Sequence, residues 1–79
     1  MNIIELVMDN KKVSVRGETP VGVNWIYYID SEAMTVEFVT VWKTIYKTKD
    51  EYDDKEKFYA RVEDICRMLD GDKSVIYAF

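Results

Sequence analysis

The sequence predicts an α+β domain in which one antiparallel sheet of four to five strands carries one α-helix on one face, in the order ββββαβ. Two observations indicate this fold: apolar and polar positions alternate through the middle of the chain, and apolar residues at helical spacing follow them. Length is a third observation, because 79 residues suffice for only one hydrophobic core. A single domain over 1–79 is therefore expected.

The first two strands are predicted to form a hairpin. Residues 2–8 alternate weakly, and the Asp-Asn-Lys segment 9–11 supplies a turn, because Asp and Asn tolerate left-handed backbone conformations. Residues 12–16 then resume a period of two, which is typical of a half-buried strand. A short helix over 2–8 is the competing interpretation, since Ile3, Ile4 and Val7 also fit a period near four.

The second hairpin is the best-defined part of the sequence. A connection over 17–22 contains two glycines and a proline, and a strand over 23–29 follows it. Residues 30–33 are predicted to be a four-residue loop built on a type I turn. The return strand runs over 34–42, from Met34 to about Trp42. The next segment, 43–52, fits either an extension of that strand or a polar linker.

The helix is predicted over 53–70 from its capping residues and its apolar stripe. Asp53 or Asp54 can accept hydrogen bonds from the first free amides, and Asp53 has capping-box spacing to Glu56. A glycine at position 71 is typical of a helix end. A last short strand over 74–79 follows, and its direction is open. The apolar stripe consists of Phe58, Val62, Ile65 and Leu69.

One helix can cover only one face of such a sheet, and the alternation assigns residues to each face. The covered face is expected to hold Trp25, Tyr27, Ile29, Val36, Phe38 and Trp42. The other face has an apolar centre, which the N-terminal hairpin, a second copy or a different protein could cover. Strand propensity alone also places Val and Ile on a wet face. The residues predicted to bind a partner are Ile26, Tyr28, Glu37, Val39, Val41 and Lys43.

Composition excludes several kinds of catalytic and metal site. The chain has no histidine and one cysteine, so an intrachain disulfide, a Cys/His zinc site and an imidazole-based triad are impossible. Cys66, beside Ile65 in the apolar stripe, is expected to be a small core residue. The acidic run 50–56 has Lys55 where a calcium loop needs glycine. No enzyme activity, cofactor or metal is therefore predicted.

Charge and segment length predict the compartment and exclude some partners. The net charge is −4, which disfavours direct binding to nucleic-acid backbones. The start of the chain lacks a signal-peptide pattern, and the apolar runs 25–29 and 75–79 are too short to cross a bilayer. A lone cysteine agrees with a reducing compartment. We expect a cytoplasmic protein that binds neither nucleic acid nor membrane.

The leading hypothesis for function is a small non-catalytic protein that occupies a partner's surface, as inhibitors, immunity proteins and phage-encoded modulators do. Six tyrosines and two tryptophans favour it, because these residues are enriched at binding hot spots. One alternative is a homodimer with no further activity. Another is an acidic mimic of nucleic acid that blocks a DNA- or RNA-processing enzyme, although interspersed lysines count against it. The mimic's acidic surface would comprise Asp50, Glu51, Asp53, Asp54, Glu56, Glu63 and Asp64, extended by Asp70 and Asp72.

Overall fold

The computed structural model describes residues 3–72 and 74–78. They form one five-stranded antiparallel sheet with two helices on one of its faces, so the α+β fold is confirmed. From residue 12 onward the order is ββββαβ as predicted, and a further helix precedes it. The elements are α1 (Ile3–Asp9), β1 (Lys12–Glu18), β2 (Asn24–Asp30), β3 (Thr35–Val41), β4 (Ile45–Glu51), α2 (Lys55–Met68) and β5 (Ile76–Ala78).

The sheet is a four-stranded meander with the last strand added at one edge. Its spatial order is β4-β3-β2-β1-β5, and every neighbouring pair is antiparallel. The direction of the last strand, open in the sequence, is thus antiparallel to β1, with Tyr77 opposite Val15. This strand is shorter than the predicted 74–79, and Phe79 lies outside the described residues. The opposite edge is β4, which resolves the ambiguous segment 43–52 as mostly strand.

The N-terminal segment is a helix, so the prediction of a strand over 2–8 is wrong. The competing helical interpretation is right from Ile3 onward, and Asn2 lies outside the described residues. Ile3, Leu6 and Val7 are buried at helical spacing in the core that α1 shares with α2 and the sheet. The side-chain amide and the backbone amide of Asn10 both donate to the Leu6 carbonyl, at 3.1 Å and 2.9 Å, at the end of the helix.

The core lies between the helices and one face of the sheet, called the inner face below. The buried side chains of α2 are Phe58, Val62 and Ile65, three of the four residues of the predicted stripe; the fourth, Leu69, is partly buried against the core. They join Tyr27, Ile29 and Val36 of the sheet in one apolar cluster, against which Trp25 and Phe38 are half-buried.

Trp42 is not part of this core, so its predicted place under the helix is wrong. The return strand ends at Val41 instead of continuing to Trp42. Trp42 begins the turn between β3 and β4, and its side chain is 60% exposed.

No helix in the described ranges is long and apolar enough to span a membrane.

Local hydrogen bonds set the ends of the predicted hairpin and helix. The Asp30 carboxylate accepts from the backbone amides of Glu32 and Ala33 at 3.0 Å, which holds the turn between β2 and β3. Asp54, the second of the two predicted caps, accepts from the Glu56 amide at 2.8 Å. The helix α2 ends at Met68, two residues before the predicted end, and Gly71 reverses the chain with φ 80°.

The buried hydroxyl of Tyr27 makes stability depend on alkaline pH. Burial raises the pKa of Tyr27 above its ordinary 10.0, and the charge and hydrogen bond of Arg61 offset part of that rise. The folded chain therefore keeps this proton where the unfolded chain loses it. Its contribution to the free energy of unfolding is complete below pH 10.0 and decreases as the pH rises through the window between the two pKa values.

We expect Tyr27→Phe to remove this part of the decrease in the free energy of unfolding at alkaline pH. Urea unfolding between about pH 8 and about pH 11 should show a smaller decrease in stability for Tyr27→Phe than for the wild type. Tyr28→Phe is the control, because it changes the neighbouring exposed tyrosine and leaves Tyr27 in place. Equal alkaline slopes for all three proteins would contradict the assignment.

Candidate protein-binding surface

The face of the sheet opposite the helices, called the outer face below, brings several of the predicted residues together. The strand register places Ile26 of β2 opposite Val39 of β3, and Tyr28 opposite Glu37 in the next outer-face row. Because residues at alternate positions share a face, these four side chains form one contiguous patch. The helices cover the inner face, so the patch stays outside the core.

The exposures within this patch differ from the prediction at one position. Tyr28 is 48% exposed and Ile26 is half-buried, but Val39 is only 8% exposed. Val39 lies between Ile26 of β2 and Lys47 of β4, so side chains from both neighbouring strands flank it. The prediction of Val39 as an exposed contact residue is therefore wrong. It packs within the patch, and Tyr28 is the aromatic group that a partner can reach.

The predicted rim residue Lys43 does not lie on the sheet. Since β3 ends at Val41, Lys43 falls in the turn that joins β3 to β4 and not on the outer face. The Trp42 amide donates to the Thr44 carbonyl at 3.2 Å across this turn. Val41 is on the outer face as predicted, in the last pair of the ladder opposite Ile45.

A shallow concavity of about 550 Å³ lies around Tyr28. Two acidic and two basic side chains surround it, so its rim has charges of both signs. An aromatic group encircled by polar side chains is the usual layout of a protein-binding hot spot, because the polar rim excludes water from the centre. The rim charges belong to Lys12, Asp30, Glu37 and Lys49.

The exposed apolar surface extends from the predicted Val41 into a second region, whose other three residues the sequence pattern does not indicate. It lies at the end of the β3–β4 hairpin, where four large side chains are between 44% and 65% exposed. The segment 43–49 also contains three lysines and no acidic residue, in a chain of net charge −4. That local charge pattern is the feature of the sequence that sets this segment apart from the rest of the chain. The four apolar residues are Val41, Trp42, Ile45 and Tyr46.

The acidic residues of the alternative hypothesis are spread over several elements. Asp50 and Glu51 lie on β4, and Asp53 follows in the connection to α2. Asp54 is used as the helix cap. The others lie along α2: Glu56 is in its first turn, and Glu63 and Asp64 both contact the Arg67 guanidinium, the latter at 3.7 Å.

Beyond the helix, Asp70 is exposed, and the Asp72 carboxylate accepts hydrogen bonds from Ser74. The hydroxyl and the backbone amide of Ser74 donate to the Asp72 carboxylate, and these hydrogen bonds lower the pKa of Asp72 below its ordinary 3.8. Among residues 3–72 and 74–78, no three acidic or cysteine side chains are grouped as ligands for a metal ion. Cys66 packs against the core.

In comparisons of sequence and fold, no protein-family model, curated protein or solved structure matches this chain.

Proposed function

We propose that this chain is a small non-catalytic protein that acts by binding another protein through the outer face of its sheet. The observation that carries the proposal is the one-sided cover of the sheet: both helices pack on the inner face, while Tyr28 stays about half exposed on the outer face. The class of function is that of an inhibitor or modulator, which works by occupying its partner's surface.

The chemistry of the patch supports a protein as the ligand. Tyr28 offers a rigid aromatic ring with a polar tip, and Ile26 extends its apolar surface. Glu37 and Lys49 lie in the same outer-face row and provide charges of opposite sign at the rim. Mixed charge selects a partner by complementarity, whereas a phosphate backbone needs a uniformly basic groove. The proposal therefore includes neither nucleic acid nor membrane as a direct ligand.

The proposal includes a reducing compartment such as the cytoplasm, because the sequence has one cysteine and Cys66 lies half-buried against the core.

An acidic mimic of nucleic acid is a weaker candidate. Arg67 contacts two of its seven carboxylates, and Asp54 is engaged by the helix it caps. Self-association through the outer face is the remaining alternative.

The decisive experiment places a photo-crosslinking residue at position 28 and, as a control, at position 68. Met68 is also an exposed apolar residue, but it lies on α2, on the helix side of the sheet. In extracts of the cells that make the protein, we expect a specific adduct from position 28 only. Light scattering on the purified protein tells whether that adduct is a second copy of the chain.

With the crosslinked partner purified, Tyr28→Ala is expected to weaken binding by more than about 1 kcal/mol, which is about fivefold. The physical reason is the loss of a partly desolvated aromatic anchor at the centre of the patch. Titration calorimetry measures the effect, with Met68→Ala as the matched exposed-residue control. An affinity unchanged by Tyr28→Ala and a native oligomeric state would together refute the outer-face proposal.

A further inference from the structure

The strand β4 is an exposed edge of the sheet along its whole length. All seven of its residues, Ile45–Glu51, are exposed, and in the described part of the chain β3 is its only neighbour in the sheet. An edge strand presents backbone donors and acceptors that a further strand can use. The edge can therefore bind a segment in extended conformation by adding it to the sheet.

The hydrogen bonds at the two ends of the β3–β4 ladder show which backbone groups face outward. The Tyr52 amide donates to the Met34 carbonyl at 3.0 Å, and the Trp42 amide donates to the Thr44 carbonyl at 3.2 Å. In an antiparallel ladder the bonding direction alternates from residue to residue. The even-numbered residues of β4 therefore bond to β3, and the odd-numbered ones direct N–H and C=O outward. These are Ile45, Lys47, Lys49 and Glu51.

The same odd-numbered residues carry their side chains on the outer face. Lys47 and Lys49 are opposite Val39 and Glu37 in the register, so their ammonium groups flank the outer-face patch on the side of the edge. Among the described residues, neither ammonium group lies within 4.0 Å of a carboxylate. A strand added to β4 places its own side chains directly beside these two lysines.

We propose that β4 binds an extended acidic segment of the partner protein, which adds antiparallel to this edge with carboxylates at alternate positions beside Lys47 and Lys49. This inference rests on the proposed function and specifies the partner's chemistry. On the inner face the added strand places its intervening side chains beside Tyr46, Thr48 and Asp50. Apolar residues fit beside Tyr46 and Thr48, so the segment alternates acidic and apolar residues there.

A second copy of this chain fits the edge less well than an acidic segment does. Full antiparallel overlap of two β4 strands places Lys47 opposite Lys49 twice. Shifting the register by two residues in one direction places Lys47 opposite itself, and in the other it places Lys49 opposite itself while Lys47 is opposite Glu51, so neither register pairs both lysines with carboxylates. Like charges directly opposite each other destabilise a strand pair, whereas an acidic segment replaces that repulsion with attraction.

The test uses a capped peptide of about eight residues in which Glu alternates with Val, and hydrogen exchange of the protein's amides followed by NMR. We expect the peptide to slow exchange at Ile45, Lys47, Lys49 and Glu51. A matched peptide alternating Lys with Val should have no such effect. The Glu peptide N-methylated at its glutamates should also fail, because in this pairing the glutamate amides bond to β4.

Two sets of variants distinguish the contribution of the lysine charges to peptide binding from that of the backbone hydrogen bonds. Lys47→Glu/Lys49→Glu is expected to reduce affinity for the Glu peptide by about tenfold and to transfer the preference to the Lys peptide. Lys49→Pro removes an outward amide while keeping the bonds to β3, and should reduce binding further than Lys49→Gln, which removes only the charge. Circular dichroism confirms that both position-49 variants stay folded.

Each alternative result overturns the inference. If about 1 mM Glu peptide does not slow hydrogen exchange at the β4 amides, the lysines only keep this edge from aggregating. Equal binding of both peptides excludes an acidic partner, and protection that depends on protein concentration without peptide indicates self-pairing. If the peptide changes NMR chemical shifts around Tyr28 but does not slow hydrogen exchange at the β4 amides, strand addition at the edge is rejected and the proposed function is unaffected. The Tyr28→Ala titration with the crosslinked partner tests that function separately.

Discussion

Replacing Phe58 by alanine is expected to lower the free energy of unfolding by about 3–5 kcal/mol, a large share of the stability of a small domain. Phe58 is 0% exposed. Its ring centroid lies 5.1 Å from that of Tyr59 and 6.3 Å from that of Tyr52, both in edge-to-face geometry. Truncation therefore removes apolar burial and ring contacts and leaves a cavity between α2 and the sheet.

Urea unfolding followed by circular dichroism measures this loss against a control at the preceding position. Lys57 lies on the same turn of α2 and is exposed, so Lys57→Ala should change the free energy of unfolding by less than about 0.5 kcal/mol. A loss below about 1 kcal/mol for Phe58→Ala would contradict the central position of this ring in the core.

Gly17→Ala is the second substitution expected to have a large effect, with a loss of about 1–3 kcal/mol. Gly17 is directly opposite Trp25 in the β1–β2 ladder. A Cβ atom at Gly17 would lie 2.8 Å from Cε2 of the Trp25 ring, closer still to Cζ2, and 3.0 Å from the Ser74 hydroxyl oxygen. The indole uses the space that any side chain at position 17 would need.

A double variant tests that cause directly. Gly17→Ala/Trp25→Leu should be more stable than the sum of the two single losses implies, because the smaller side chain leaves room for the added methyl group. Thermal and urea unfolding of all four proteins give the coupling free energy. Strict additivity would mean that the loss at Gly17 comes from somewhere other than the indole.

The central hairpin could be predicted because its side chains alternate between core and surface. Tyr27, Ile29 and Val36 are buried where the alternation places them. The Asp30 turn could be predicted because its carboxylate holds the amides that follow it. In both cases the cause is local, so residues near each other in the chain carry the whole signal.

The N-terminal helix could not be separated from a strand by pattern alone. Seven residues make two helical turns; Ile4, Leu6 and Met8 fit a period of two, whereas Ile3 and Val7 fit a period near four. The deciding interaction is burial of Ile3, Leu6 and Val7 against α2. Because α2 is distant in the sequence, no local pattern contains that information.

The edge strand could not be predicted because none of its residues is buried. The exposure of β4 leaves no alternation in polarity, and its extended conformation comes from hydrogen bonds to β3. The absence of a local pattern also explains Trp42: the alternation places it in the core only if β3 continues, and β3 ends one residue earlier. For the outer face, Tyr28 and Val41 could be predicted as exposed from the hairpin alone. The burial of Val39 depends on β4 as well.

The short helix α1 determines the order in which the chain can fold. A helix of seven residues is unstable by itself, so α1 persists only once α2 and β1 cover its apolar side chains. During synthesis α1 emerges before α2, and it must wait for the later helix. The strands β1 to β4 have no such delay, since each pairs with the next across a short turn. The helix α1 is thus completed late, although it is made before α2, when the two helices close over the sheet.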